Sequence, residues 1–145
     1  MSADDFAYLT DMFGPDGRLP AWFDKARQAE YRRAWAQPGS VRAGLSYYQA
    51  SAMHPAAVRK AGPGAVTFDD AAFTVRVPTL VIWGERDRFL LTACLDGLER
   101  YVPDLRVERI PDATHWVVHE EGAKVNRLIA DFVTERIGVA SAPLP

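Results

Sequence analysis

Two residues of this chain, Asp87 and His115, have the types and the spacing that an acid–base pair requires. They stand 28 positions apart, and each follows a stretch rich in apolar and β-branched residues. A carboxylate that accepts a hydrogen bond from one imidazole nitrogen fixes the tautomer of the ring and stabilises the imidazolium. The other nitrogen can then take a proton from a nucleophile or from water. Asp87 and His115 are therefore the first candidates for catalytic residues.

Such a pair needs a nucleophile, and the sequence lacks the motif that commonly presents one. That motif is a strained turn between a strand and a helix, of the form Gly-x-Ser-x-Gly or a relative with Asp at its centre. No segment has this form, and no serine has glycines at both required offsets; the serines are Ser2, Ser40, Ser46, Ser51 and Ser141. The chain thus carries an acid and a base without the group that they would activate.

Two predicted strands must position the pair. Residues 78–84 form a nearly unbroken apolar stretch closed by a glycine, which predicts a strand covered on both faces and a turn at its carboxyl end. Residues 105–111 alternate between apolar and polar side chains, which predicts a strand with one solvated face. Helical spacing over residues 92–101 predicts a helix between the strands. A right-handed crossover of this kind brings both candidate residues to one edge of a parallel sheet.

Helical patterns dominate the rest of the chain. Three helices are predicted before residue 54, over residues 2–12, 21–36 and 40–53. A last helix is predicted over residues 123–137, with an apolar face formed by Val125, Leu128, Ile129 and Phe132. Glycine and proline between the third helix and the first strand indicate an irregular connector.

Composition and charge exclude several classes of partner. Of the 145 residues, 48% are hydrophobic and 11% aromatic, which is enough apolar material for one core. A formal net charge of −2 provides no basic surface for nucleic acid or anionic lipid, so neither is expected as a partner. We recognise no signal peptide and no stretch that would span a membrane, and the cytoplasm is the expected location.

Cysteine and histidine usage argues against a metal or a disulfide. The single Cys94 excludes an internal disulfide, and its predicted helical setting indicates a buried or half-buried thiol. The 3 histidines and 1 cysteine lack metal-ligand spacing, so neither a metal nor another cofactor is expected. His54 and His119 are interpreted as residues at helix ends.

Four segments of the C-terminal part match the pattern of a known family. The first three are Pro78–Asp87, Tyr101–Pro103 and His115–Trp116, and the fourth comprises Glu120-Glu121, Val125-Asn126 and Ile129–Phe132. Together they resemble the C-terminal end of the α/β-hydrolase superfamily, above all the branch of epoxide hydrolases and haloalkane dehalogenases. The resemblance implies that Asp87 is the acid of a catalytic triad and His115 its general base. One departure is the pair Ala113-Thr114 before the histidine, where relatives often have a glycine.

The N-terminal part resembles the helical cap of the epoxide hydrolases. Residues 39–50 are similar to the cap helix whose tyrosine, in that family, donates a proton to the epoxide oxygen, and Tyr48 matches this tyrosine best. The resemblance implies an α/β class and a partial α/β-hydrolase fold, with a helical cap followed by the last two parallel strands and flanking helices. The domains are then a cap over residues 1–65, a core over 66–138 and a tail over 139–145.

The function that follows from the resemblance is that of the cap and C-terminal half of a hydrolase, inactive alone for lack of a nucleophile. An epoxide hydrolase is favoured, with a haloalkane dehalogenase or an esterase as alternatives. A small hydrophobic substrate is expected if an N-terminal half completes the site. Since two parallel strands leave an unpaired apolar edge, we also expect self-association or a complementing chain.

Purely structural interpretations of the candidate residues stay open. Asp87 can be a turn former, and His115 can be a loop histidine with its bonds satisfied. Tyr48 stands among apolar residues at helical spacing and can simply pack. On these interpretations the chain is a binding or dimerisation module, or a helical interaction protein in which the strands close a core.

Overall fold

The chain divides into two compact units, Met1–Thr67 and Phe68–Pro145. The computed structural model describes residues 3–14, 17–50 and 70–137. The limit between the units therefore lies outside the described residues, as do His54 and the tail over 139–145, and the domain limits given above stay predictions. Within the described ranges, no helix is long and apolar enough to cross a bilayer.

Three α-helices form the described part of the first unit: α1, Ala7–Asp11; α2, Lys25–Trp35; and α3, Ser40–Ala50. Helix α2 begins where it does because the side chain of Asp24 accepts a 2.8 Å hydrogen bond from the backbone N–H of Arg27. The second and third predicted helices are thus confirmed, although the second starts at Lys25 and not at residue 21, because Asp24 caps it. The expected end of the third near Met53 lies outside the described residues.

Aromatic side chains provide the core of the first unit. Phe23 is only 1% exposed, and its ring stacks on that of Phe13 with 4.2 Å between centroids. Tyr31 on α2 meets both rings edge-on. Such pairs contribute about 0.5–1.5 kcal/mol beyond the area they bury, which fastens α2 to the segment that precedes it.

The prediction of one continuous first helix is wrong. Residues Ala3–Phe6 form a 3₁₀ turn in which Asp4, Asp5 and Phe6 have positive φ angles, and regular helix starts only at Ala7. Two contacts with α2 hold this turn. Asp5 pairs with Arg32 at 3.1 Å, and the Phe6 ring lies 5.9 Å from that of Trp35. Hydrophobic spacing along the sequence cannot report such tertiary contacts.

Two parallel strands and two α-helices are the main elements in the described part of the second unit. Strand β1, Thr79–Gly84, pairs with β2, Leu105–Ile110, in a register that sets Gly84 opposite Ile110. The two strands therefore end at the same level. Helix α4, Val117–Glu120, and helix α5, Gly122–Ile137, follow β2. The predicted strands, their parallel order and the last helix are confirmed.

The helix predicted between the strands is wrong. The chain forms two 3₁₀ helices there, Thr92–Leu95 and Leu98–Arg100. Gly97 separates them with a φ of 80°, which a continuous right-handed helix does not permit. Leu95 and Val102 are buried and fix the connection to the unit.

A small apolar core joins β2 to the last two helices. Ile110, Ala113, Val117 and Val125 are buried together, and Ile82 of β1 packs against them. The apolar side chains of β1 itself are only half-buried, so the expectation of a strand covered on both faces is not met by the described residues. An open apolar groove of about 420 Å³ lies over this strand; its lining residues are Leu80, Ile82, Val117, Val118, Val125, Ile129 and Phe132.

Candidate active site

Asp87 lies in the tight turn that follows β1. Its backbone N–H donates to the carbonyl of Gly84 at 3.2 Å, and its Oδ1 accepts the N–H groups of Phe89 and Leu90 at 2.8 and 2.9 Å. An aspartate in a turn commonly accepts bonds from backbone groups two and three residues later. One carboxylate oxygen is thereby used for the turn itself.

His115 lies in the loop that follows β2, and this loop is bonded to the turn after β1. The N–H of Glu85 donates to the carbonyl of Ile110 at 3.0 Å, and the N–H of Arg86 donates to the carbonyl of Ala113 at 2.9 Å. Gly84 allows this close approach, because a Cβ at that position would collide with the carbonyl oxygens of Ala113 and Thr114. Backbone hydrogen bonds thus align the two loops independently of the catalytic side chains.

The structure brings Asp87 and His115 into direct contact. His115 Nδ1 lies 2.8 Å from Asp87 Oδ2, the carboxylate oxygen that the turn leaves unused. The Asp87 side chain is 8% exposed, whereas that of His115 is 35% exposed. The carboxylate is therefore buried behind an imidazole that still reaches solvent.

Electrostatics favour the ionised carboxylate. Burial alone would raise the pKa of Asp87, but the hydrogen bonds from Leu90, His115 and Phe89 and the charge of the imidazolium together lower it below its ordinary value. An ionised carboxylate has no proton to donate, so Nδ1 of His115 must carry the proton in their hydrogen bond. In the neutral imidazole, Nε2 is then the nitrogen able to accept a proton.

Two aromatic rings flank the imidazole. The centroid of the Phe89 ring lies 4.9 Å from that of His115, and the indole of Trp116 meets the imidazole edge-on at 5.1 Å. Phe89 is 51% exposed, and Leu90 and Leu91 beside it are exposed as well. The imidazole therefore lies beside an apolar surface that is exposed to solvent.

Tyr48, the third candidate, belongs to the other compact unit. It lies on α3 and is 67% exposed, with its ring edge-on to that of Tyr47 at 5.4 Å. The structure therefore joins two of the three candidate residues, Asp87 and His115.

Glu120 was given no role by the sequence, yet it is bonded to the histidine loop. Its Oε2 accepts the backbone N–H of Thr114 at 2.6 Å, and its Oε1 accepts the Thr114 hydroxyl at 2.7 Å. The capping pattern in which a threonine precedes a glutamate by three positions does not apply, because Glu120 follows Thr114 by six positions. Sequence spacing carried no signal for it.

The structure also tests the expectations about Cys94 and about a metal site. Cys94 is exposed, so the prediction of a buried or half-buried thiol is wrong; the short 3₁₀ helix that replaces the predicted helix leaves this residue at the surface. Among the residues that the structure describes, no three His, Cys, Asp or Glu side chains gather as a metal site would require.

Comparison of the amino-acid sequence with known proteins identifies relatives of this chain. No protein-family model matches the chain. An AB hydrolase superfamily protein, YfhM of Bacillus subtilis (strain 168), is 33% identical over 130 residues, which cover 90% of this chain and 41% of that protein. Epoxide hydrolase 3 of Xenopus tropicalis is 42% identical over 69 residues, covering 47% of this chain and 19% of that protein.

A solved structure extends the similarity to three dimensions. The epoxide hydrolase of Bacillus megaterium, in complex with an inhibitor, superposes with a TM-score of 0.73 and 27% identity, over 92% of this chain and 46% of that one. The chain thus spans less than half the length of these relatives. The chain has a partial α/β-hydrolase fold and is similar to epoxide hydrolases over part of their length.

Proposed function

We propose that this chain supplies the acid and the base of an epoxide-hydrolysing α/β-hydrolase, with Asp87 as the acid and His115 as the base. The observation that carries the proposal is the 2.8 Å hydrogen bond between His115 Nδ1 and Asp87 Oδ2 at the ends of adjacent parallel strands. Similarity to epoxide hydrolases supports the choice of an epoxide as substrate.

The chemistry requires a nucleophile from outside these 145 residues. A carboxylate nucleophile attacks an epoxide carbon, the C–O bond breaks, and an ester joins enzyme and substrate. Nε2 of His115 then takes a proton from water, and the resulting hydroxide attacks the ester carbonyl. The ester bond breaks and the diol leaves with a proton returned to its oxygen. Asp87 orients the imidazole and stabilises its positive charge in this second step.

Tyr48 is proposed as the proton donor in the first step. Opening an epoxide leaves an alkoxide, which a phenol can protonate while its ring contacts apolar parts of the substrate. The exposure of Tyr48 on α3 supports this role, because an accessible hydroxyl is what a substrate needs to reach.

A small hydrophobic substrate and a complementing half are part of the same proposal. The aromatic rings beside the imidazole favour an apolar ligand. The elbow motif is missing from the sequence, and the groove over β1 leaves apolar side chains that a further segment would cover. That segment is an N-terminal half that carries the elbow, either in the same polypeptide or in a second chain.

The test is hydrolysis of styrene oxide by the chain, alone and after co-expression with an N-terminal α/β-hydrolase half that has an aspartate-centred elbow. We expect no turnover by the chain alone and turnover by the combination. In the combination, His115→Gln should lower kcat by about 10⁴-fold and leave the covalent ester intact, which intact-mass spectrometry detects.

The matched control is His119→Gln, which removes a histidine four residues away and should leave the rate unchanged. Turnover of styrene oxide by the isolated chain would contradict the proposal, since the nucleophile would then lie within it. An assembled complex that binds the epoxide without forming an ester would contradict it as well.

A further inference from the structure

Glu120 closes a ring of hydrogen bonds around the residue that carries the imidazole. Its carboxylate accepts two hydrogen bonds from Thr114, at 2.6 and 2.7 Å, while its backbone N–H donates to the carbonyl of Trp116 at 3.1 Å. The hydroxyl of Thr114 also accepts the N–H of Trp116 at 3.3 Å. His115 is therefore held between two residues that Glu120 fixes.

The two sides of the loop are anchored differently. On the β2 side, Ala113 is buried and its carbonyl accepts the N–H of Arg86, so this side is fixed by the backbone of the neighbouring strand end. On the far side, the side chain of Glu120 holds Thr114, while the backbone N–H groups of His119 and Glu120 hold the carbonyl of Trp116. Hydrogen bonds to a carboxylate are about twice as strong as those between neutral groups, so the two bonds that Thr114 donates to Glu120 are strong anchors of this side.

We propose that Glu120 is a positioning residue for His115, holding the loop in the conformation that directs Nδ1 at Asp87. The proposal rests on the proposed function for its kinetic consequence, but its structural part stands without it. Both carboxylate oxygens of Glu120 are engaged by Thr114, so this residue acts through the loop and does not contact the reacting atoms. The hydroxyl of Thr114 is itself part of this arrangement, because it donates to Glu120 and accepts the N–H of Trp116.

The first test reads the tautomer of His115 by NMR in the full chain labelled with ¹⁵N-histidine. Long-range correlations from the carbon-bound ring protons report which nitrogen carries the proton, whether or not a substrate is present. We expect the Nδ1–H tautomer in the wild type, enforced by Asp87. Glu120→Ala should shift the population towards the Nε2–H tautomer, which free histidine prefers.

Glu121→Ala is the matched control, because it removes the same charge from the adjacent position. Within the described residues, the Glu121 side chain makes no hydrogen bond to the histidine loop, so its removal should leave the tautomer unchanged. Glu120→Gln should largely restore the wild-type spectrum, since the amide oxygen can accept the Thr114 N–H and the amide N–H can donate to the hydroxyl.

Thr114→Val is a second variant that serves if Glu120→Ala does not fold. It deletes the hydroxyl that Glu120 and Trp116 share, and it should shift the tautomer in the same direction. An unchanged tautomer in either variant overturns the proposal, as does an equal shift in Glu121→Ala.

The second test is kinetic and uses the complemented enzyme. Glu120→Ala should lower kcat about 10- to 100-fold with little change in KM, because a displaced imidazole impairs the chemical step more than binding. If the complemented wild type has no activity, the proposed function fails while the NMR result still decides the role of Glu120. If the tautomer shifts but kcat does not, Glu120 is not a positioning residue for catalysis.

Discussion

At the scale of single residues, the Asp87 carboxylate divides its two oxygens between folding and chemistry. Oδ1 accepts hydrogen bonds from the two backbone N–H groups that define the turn, and Oδ2 accepts one from Nδ1 of His115. The turn-former interpretation of this residue and the catalytic one are therefore compatible. A carboxylate that already stabilises its own turn needs no reorganisation when the imidazole becomes charged.

The lowered pKa of Asp87 predicts a pH dependence of stability. Because the folded-state pKa lies below that of the unfolded chain, the contribution is fully present above about pH 4, the unfolded-state value, and is lost as the pH falls through the folded-state pKa. We expect the free energy of unfolding, measured with urea from pH 3 to pH 7, to fall at the acid end. In Asp87→Asn, whose amide does not titrate, the free energy of unfolding should fall less steeply at low pH. An identical fall in both proteins would show that Asp87 does not contribute.

At the scale of elements, the sequence predicted the parts of the site that local chemistry determines. The apolar stretch before Gly84 and the alternation before Pro111 both became strands, in parallel order. The 28-residue separation of Asp87 and His115 then matches two loops at one sheet edge. These features depend on side-chain periodicity and on turn residues, which a sequence displays directly.

The features that the sequence did not predict have no counterpart in the periodicity of its side chains. The spacing of apolar residues on both sides of Gly97 fits one continuous helix, but the positive φ of this glycine divides it into two 3₁₀ helices. The positive φ angles near the N-terminus are held by Arg32 and Trp35, more than 25 positions away. The bonds between Thr114 and Glu120 likewise cross a loop and a helical turn. No periodic pattern encodes such pairs.

Gly84 couples the two site loops, and its replacement tests this coupling. In Gly84→Ala, the new methyl group would meet the carbonyl oxygens of Ala113 and Thr114, both of which belong to backbone that cannot move freely. We expect the free energy of unfolding in urea to fall by about 1–3 kcal/mol. Gly122→Ala at the start of α5 is the control, because nothing lies within 4 Å of the added methyl group. That variant should be unchanged or more stable by up to about 1 kcal/mol; similar losses in both variants would rule out the steric explanation.

At the scale of the whole molecule, the described part of the second unit leaves apolar surface that a complete α/β sheet would cover. Two parallel strands are few for a stable open sheet, and the side chains of β1 are half-buried. The groove beside them is lined entirely by aliphatic and aromatic residues. The chain also spans only 41% and 46% of two relatives. These facts agree with a partner segment that packs on β1 and α5.

Self-association of the chain on its own is the expectation that follows. Sedimentation velocity at micromolar concentrations should give a mass above the 16.1 kDa of one chain. Ile129→Glu places a charge in the groove, where Ile129 is 47% exposed, and should weaken association by about tenfold or more because the charge would lose its hydration. Asn126→Glu adds the same charge to an exposed position of α5 outside the groove lining, and it should leave the association unchanged.

An N-terminal half that occupies the groove should compete with this self-association. Adding it to the wild-type chain should replace the larger species by a complex of one chain with one half, and Ile129→Glu should weaken that complex too. A wild-type chain that sediments at 16.1 kDa and unfolds cooperatively would contradict the expectation, because the exposed groove would then be compatible with a stable monomer. The chain would in that case be better explained as a binding module than as the C-terminal half of an enzyme.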